Sequence, residues 1–213
     1  MSKSKSVKEA LSLEYNVNMY KRKPLFAFIK RLFDILSSLI ALIILSPLFL
    51  ILIILVKIDS KGPAFYGHKR IGKNGKEFKV WKFRSMRQDS RPIEEILTQD
   101  QLEEWKRDFK VTNDPRVTRI GRILRKTSLD EWPQFINVLL GEMSLIGPRP
   151  YLPREKKDMG QYYNSIIKCK PGVTGMWQAN GRSDVEFNYR CKLDDYYYHN
   201  WSIWLDFTII YKT

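Results

Sequence analysis

Ile35 to Val56 reads ILSSLIALIILSPLFLILIILV, 22 residues without a charge. As one continuous helix it would be about 33 Å long at 1.5 Å per residue. The hydrocarbon core of a bilayer is about 30 Å thick, so the stretch qualifies as a membrane segment. It starts too late and runs too long for a signal peptide, and no small-residue cleavage site follows it. Ser46-Pro47 stands in its middle. Proline lacks a backbone donor and clashes with the preceding turn, so a bend is expected there, with the Ser46 hydroxyl as a nearby partner for a freed carbonyl. Both flanks are basic: Lys21, Arg22, Lys23, Lys30 and Arg31 precede the segment, and Lys57, Lys61, Lys69 and Arg70 follow it. The positive-inside rule needs an asymmetry between sides, and this segment has none. The simplest solution keeps both flanks in the cytoplasm, with the segment entering one leaflet, turning at Ser46-Pro47 and leaving again. A straight single span and a buried core helix are the alternatives.

Composition bounds the rest. The 213 residues carry 37 Lys and Arg against 23 Asp and Glu, a net charge of +14. Residues 1–33 hold eight basic and two acidic side chains, and the chain from Lys57 onward holds 29 and 20. Each side of the apolar segment is therefore cationic, which suits an anionic leaflet or another polyanion. The mean hydropathy of -0.36 excludes a polytopic membrane protein. Cys169 and Cys191 form neither a disulfide framework nor a zinc knuckle, and point to a reduced, intracellular setting. Two histidines, His68 and His199, leave little for a histidine metal site.

Beyond Val56 no second long apolar run appears. Residues 64–86 alternate around Lys73-Asn74-Gly75-Lys76, which predicts a β-hairpin. Helices are expected over 93–110, 119–126, 130–142 and 186–198. Gly147-Pro148-Arg149-Pro150 breaks the chain, and Pro171-Gly172-Val173-Thr174-Gly175 reads as a turn-rich loop. Trp201, Trp204, Phe207 and Tyr211 form an aromatic edge suited either to a membrane interface or to core packing.

The densest polar constellation is Arg119–Gln134, RIGRILRKTSLDEWPQ. Asp130 and Glu131 follow a run of arginines at an expected helix start, where Ser128 and Glu131 fit a capping box and Pro133 fits the first turn. A helix N-terminus and neighbouring arginines favour an ionised carboxylate. Such a carboxylate can attack phosphorus, and vicinal carboxylates can hold a hard cation while arginines grip phosphate oxygens. A simple helix cap uses the same residues.

Further motifs occur in a fixed order. Lys30-Arg31-Leu32-Phe33-Asp34 precedes the segment broken by Ser46-Pro47. Then come Lys82-Phe83-Arg84-Ser85-Met86, Thr127 to Gln134, Gly147 to Pro150, and Pro171 to Gly175 with Gln178 and Gly181-Arg182. Over residues 28–212 this resembles the bacterial sugar transferase family of monotopic phosphoglycosyl transferases. The resemblance implies transfer of a sugar-1-phosphate from a UDP-sugar to a polyprenyl phosphate such as undecaprenyl phosphate, releasing UMP, at the cytoplasmic face of the bacterial inner membrane. It implies Asp130 as the nucleophile of a covalent phosphosugar intermediate and as a ligand of Mg²⁺, with Glu131 as its dyad partner. It implies phosphate contacts for Arg125 and Arg149, with Lys82 and Arg84 as weaker candidates, and places Gln178 and Arg182 at the site. The stretch from Gly181 to Asp206 is most similar to members that transfer plain hexose phosphates, galactose first and glucose second.

The expected fold is α+β and mainly helical. A flexible basic arm (1–24) leads to a re-entrant membrane helix-break-helix (25–58) and a cytoplasmic catalytic domain (59–213) with a short β-hairpin and interfacial amphipathic helices. The chain reads as the small catalytic-core form, ending where family sequences usually run on for a short basic, apolar stretch. A homo-oligomer is open, and no nucleic-acid partner is expected. The competing class is a membrane-anchored basic adaptor that binds polyanions without catalysis.

Overall fold

The computed structural model describes residues 24–88, 91–108, 111–181 and 186–213, so the amino-terminal arm and Arg182 lie outside the described residues. Its longest element is α1 (Pro24–Asp59). It begins on a proline, whose missing N–H costs nothing in a first turn. Thirty-six residues make about 54 Å of helix. The helix is long and apolar enough to cross a membrane, and only 17 % of its most apolar stretch is buried, where the core helix of a soluble protein is mostly buried. Its exposed side chains include Leu39, Ile43, Ile44, Leu50 and Ile54.

At Ser46-Pro47 the helix is not divided by a loop, and helical backbone continues on both sides of the proline, where a bend can form within a helix. Pro47 has no N–H to give the carbonyl four residues back, that of Ile43, and Ser46 Oγ donates to this carbonyl at 2.8 Å. The hydroxyl replaces the lost donor, so the freed carbonyl keeps a hydrogen bond.

The elements that follow are β1 (Phe65–Ile71), β2 (Glu77–Phe83), α2 (Ile93–Ile96), α3 (Gln99–Asp108), α4 (Arg119–Thr127), α5 (Gln134–Leu140), β3 (Ser144–Ile146), α6 (Tyr163–Ile166), β4 (Gly172–Thr174), α7 (Met176–Ala179), α8 (Phe187–Asn200) and α9 (Ile203–Lys212). They gather into two compact units. The smaller holds Ala41–His68 and Val80–Gln134. The larger holds residues up to Ile40, Lys69–Lys79 and Phe135–Thr213.

In the smaller unit the carboxy-terminal half of α1 supplies Phe49, Leu52 and Val56 to a core with Ala64, Phe83 and Leu124. Phe83 anchors it, with ring centroids 5.2 Å from Phe49 and 5.1 Å from Phe65. β1 and β2 form the expected hairpin, and its turn uses positive φ at Asn74 and Gly75. The helix expected over 93–110 is two helices. Leu97 is extended, and Thr98 and Gln101 cap each other's backbone N–H groups, which restarts the helix at Gln99. Thr118 Oγ1 caps α4 by accepting from Gly121 N at 2.9 Å, and Asp59 accepts from Ile120 N at 2.8 Å.

The helix expected over 130–142 is also corrected. Ser128 is a left-handed C-cap of α4 (φ 58°) with no side-chain cap bond, and Leu129–Glu131 form a single 3-10 turn. Pro133 has no N–H with which to extend that turn, so the α-helical ladder begins only at Gln134.

The larger unit is built around β3 and β4, which pair in parallel with Ser144 opposite Gly172 and Ile146 opposite Thr174. The expected loop at Pro171–Gly175 thus contains a strand. Gly147 is required there, because a Cβ on it would stand 2.4 Å from the Lys170 carbonyl. Tyr197, Trp201 and Ile209 of the carboxy-terminal segment pack on Ile146 and Cys169. The basic motif before the apolar segment is engaged within this unit. Lys30 pairs with Asp206 at 2.7 Å, Arg31 donates to the Val138 and Leu139 carbonyls at the end of α5, and Asp34 accepts from Ser144 Oγ and Leu145 N. The aromatic edge divides: Trp201 is buried and donates to Asp206, while Trp204 and Tyr211 are 80% and 92% exposed. Cys169 and Cys191 are buried, and the two are not joined in a disulfide.

Candidate active site

The smaller unit contains a cleft of about 600 Å³ whose lining includes six cationic side chains: Lys82, Arg84, Arg87, Arg91, Arg116 and Arg125. Asp130 is the single carboxylate among the described residues that line it. β2 and the extended chain after it deliver Lys82 to Arg87, a parallel run of cations at short spacing. Arg116 is brought alongside because Met86 and Val117 form a β-bridge and Arg87 N donates to the Arg116 carbonyl at 2.8 Å. Asp114 fixes the Arg116 guanidinium at 2.6 Å. Arg125 projects from the last turn of α4 and donates from Nε to Ser85 Oγ at 2.8 Å.

Asp130 sits in the 3-10 turn after α4 and is buried, 9% exposed. Burial raises its pKa above the ordinary aspartate value. Lys82 and Arg125 pull it down, and the neighbouring Glu131 adds to the rise. The sequence-based expectation of a helix N-terminus holding the group ionised is therefore corrected, since no α-helix begins at Asp130 and desolvation is the largest influence. Glu131 turns the other way and accepts from Lys82 Nζ at 2.5 Å. That ion pair positions the ammonium beside the cleft.

Arg84 behaves differently from the expected phosphate ligand. Its guanidinium is buried, and Nη2 donates to the Val56 carbonyl at 3.3 Å and the Ser60 carbonyl at 2.6 Å, clamping the end of α1. A cation there also opposes the negative end of the helix dipole. Among the described residues, Nε and Nη1 of Arg84 have no hydrogen-bond partner.

In the larger unit, the Arg149 backbone N–H donates to Asp194 Oδ2 at 3.0 Å, and Tyr151 OH donates to the same oxygen at 2.8 Å. Asp194 is fully buried, and burial pushes its pKa up to about 7 against the pull of these donors. The Arg149 guanidinium lies 5.4 Å from the Trp177 ring centre, with Arg190 over the same ring at 5.3 Å. Gln178 donates to the Val173 carbonyl at 3.4 Å, and its Oε1 is buried without a hydrogen-bond partner among the described residues.

The sequence model of the family described as bacterial sugar transferase matches residues 25–213. The chain belongs to this bacterial sugar transferase family. Similar curated proteins include the undecaprenyl-phosphate galactose phosphotransferase of Salmonella typhimurium, 46% identical over 96% of this chain and 43% of the relative. The exopolysaccharide production protein ExoY of Rhizobium meliloti is 44% identical over 90% of this chain and 86% of the relative. The UDP-glucose:undecaprenyl-phosphate glucose-1-phosphate transferase of Klebsiella pneumoniae is 42% identical over 86% of this chain and 39% of the relative. The chain thus spans less than half the length of the Salmonella and Klebsiella relatives.

For this sugar transferase family member, the cleft residues missed in the sequence are Arg87, Arg91 and Arg116. The signal was present as basic residues at 82, 84, 87 and 91, but only the β-bridge to Val117 adds Arg116. Among the described residues no three His, Cys, Asp or Glu side chains converge on a metal site. A magnesium ion is compatible with what is present, because it is commonly held by one or two carboxylates together with substrate phosphates and water. Asp130 is the carboxylate placed for that. Glu131 is engaged with Lys82.

Proposed function

We propose that the cleft carries out phosphoglycosyl transfer, moving a hexose-1-phosphate from a UDP-sugar to a polyprenyl phosphate such as undecaprenyl phosphate. The observation that supports this best is one buried carboxylate set among six cations in a cleft of diphosphate scale. The names of the relatives support the donor and acceptor classes, with galactose first and glucose second.

In the proposed mechanism, Lys82 and Arg125 receive the diphosphate of the donor, and Arg149 is assigned to phosphate as well. The ionised Asp130 attacks the sugar-proximal phosphorus. An aspartyl–phosphorus bond forms, the bond from that phosphorus to the bridging oxygen breaks, and UMP leaves with the electron pair. An oxygen of the polyprenyl phosphate then attacks the same phosphorus, and the aspartyl oxygen leaves as carboxylate. Neither step needs a net proton transfer. Asp130 would hold a magnesium ion together with the substrate's phosphates, and the ion would supply neutralisation of phosphate charge. Burial of Asp130 makes the carboxylate poorly solvated and more nucleophilic once ionised, and the neighbouring cations keep ionisation within reach.

The reading is tested by measuring UMP release from a panel of UDP-sugars with polyprenyl phosphate and Mg²⁺. UDP-galactose is expected to give the highest rate, with UDP-glucose next. No UMP from any UDP-hexose would reject the transferase reading.

We also propose that α1 is re-entrant, with both ends at the cytoplasmic face of the inner membrane. The cationic charge on both sides of the apolar segment supports this. Single cysteines placed at Lys23 and at Lys61 are expected to react with an impermeant maleimide from the same, cytoplasmic side. Reaction from opposite sides would establish a simple span.

A further inference from the structure

The larger unit has a cavity of about 120 Å³ lined by Lys30, Arg31 and Asp34 of α1, Lys73 of the hairpin turn, Ser144 of β3 and Lys170 ahead of β4. The hairpin turn is fixed in place, because Asn74 N donates to the Ile167 carbonyl at 2.6 Å. Three of these charged groups have defined partners. Lys30 is paired with Asp206, Arg31 with the carbonyls ending α5, and Asp34 with Ser144 and Leu145. Lys73 and Lys170 have no hydrogen-bond or ion-pair partner among the described residues.

Two of the cations, Arg31 and Lys170, approach one point beside Gly141. A Cβ on Gly141 would stand 3.4 Å from Arg31 Nη2 and 3.5 Å from Lys170 Nζ, and Gly141 itself has φ +81°. A glycine leaves that point open where a side chain would fill it. Burial and repulsion by Arg31 and Lys73 hold the Lys170 ammonium below the ordinary lysine range, with Asp34 pulling the other way. Four cations thus line the cavity with one carboxylate, Asp34, so positive charge is in excess. A half-buried ammonium in such an excess is unfavourable, and a compact oxyanion with several acceptor oxygens relieves it. The volume holds such a group with bridging waters, at about 10–15 Å³ per water-sized probe.

We propose that this cavity is a second anion site, in which Lys170 and Lys73 hold a phosphate group with Ser144 beside it. The same turns of α1 expose Phe28, Ile29 and Leu32, so a phospholipid headgroup has apolar surface close by for its chains. Free phosphate offers the same oxyanion without that surface. The inference uses none of the residues that line the Asp130 cleft and holds independently of the transferase reading.

The test is trace acetylation of the purified full chain in dodecyl maltoside without phosphate, with Lys170 labelling read by peptide mass spectrometry and the exposed Lys61 as reference. Inorganic phosphate and short-chain phosphatidylglycerol are added in separate arms. Labelling of Lys170 is expected to fall at least about fivefold while Lys61 is unchanged. Lys73→Gln is expected to raise the half-protecting concentration about tenfold, the scale of one charged hydrogen bond. Protection by phosphatidylglycerol alone assigns the site to lipid, by inorganic phosphate alone to free phosphate, and by both to the shared oxyanion. Unchanged Lys170 labelling in both arms, or protection that Lys73→Gln leaves intact, would overturn the proposal.

Discussion

Asp130→Asn is expected to abolish hexose-phosphate transfer, by at least about 10³-fold in kcat, while leaving a folded protein of higher stability at neutral pH. The first half follows from removing the nucleophile. The second follows from burial. Asp130 has a pKa above the ordinary value of 3.8 in the folded chain, so its proton is held more tightly folded than unfolded. At pH 7 the ionised group therefore opposes folding, and this opposition fades as pH falls through the folded pKa toward the unfolded one. Asparagine does not titrate. The variant's melting temperature in EDTA is expected to exceed the parent's at pH 7, with the difference shrinking toward pH 4. A catalytically dead variant that is also destabilised at pH 7 would point to a structural role for the carboxylate. Full activity in the variant would reject Asp130 as the nucleophile.

The second large effect is on stability. Gly121→Ala is expected to destabilise the chain by about 3 kcal/mol, the upper end for forcing a group into a packed site. A Cβ on Gly121 would lie 2.0 Å from the Ser85 carbonyl oxygen and 2.6 Å from its carbon. Both are backbone atoms, and the Ser85 carbonyl also accepts from Thr118 N at 3.2 Å, so neither partner can move independently. This close approach seats α4 on the strand exit and lets Arg125 reach Ser85 Oγ. The variant is expected to lose transfer activity along with its denaturation midpoint, measured by intrinsic tryptophan fluorescence in detergent. An unchanged midpoint would show that α4 tolerates displacement from Ser85.

Much of this architecture was legible because it rests on local signals. The apolar segment declares itself by length, the hairpin by Asn74-Gly75 between alternating runs, and α4 by its basic periodicity. What was not legible depends on pairing at a distance or on single backbone angles. β3 and β4 are three residues each and buried in Gly- and Pro-rich sequence, where parallel pairing leaves no periodic trace. The left-handed Ser128 turned an expected N-cap into a C-cap and moved Asp130 from a helix start into a 3-10 turn. Pro47 marks the bend expected in α1, and the Ser46 hydroxyl gives the Ile43 carbonyl a donor in place of the missing N–H.

The candidate site was legible to the same extent. Asp130, Arg125 and Lys82 were identified from motifs and do gather at one cleft. Arg84 was read with them, yet two carbonyls at the end of α1 take its guanidinium. Lys30, Arg31 and Asp34 looked like a basic flank, and tertiary contacts engage all three. A charge on a sequence does not reveal whether its partner will be solvent, substrate or a helix end.

Intact mass spectrometry of the chain incubated with UDP-galactose and Mg²⁺, without lipid acceptor, tests the central claim most directly. A gain of one hexose phosphate, stoichiometric UMP, discharge on adding polyprenyl phosphate, and no gain in Asp130→Asn are expected. An unmodified mass with no UMP before acceptor is added, together with normal turnover afterwards, would contradict the covalent route and assign direct transfer in a ternary complex.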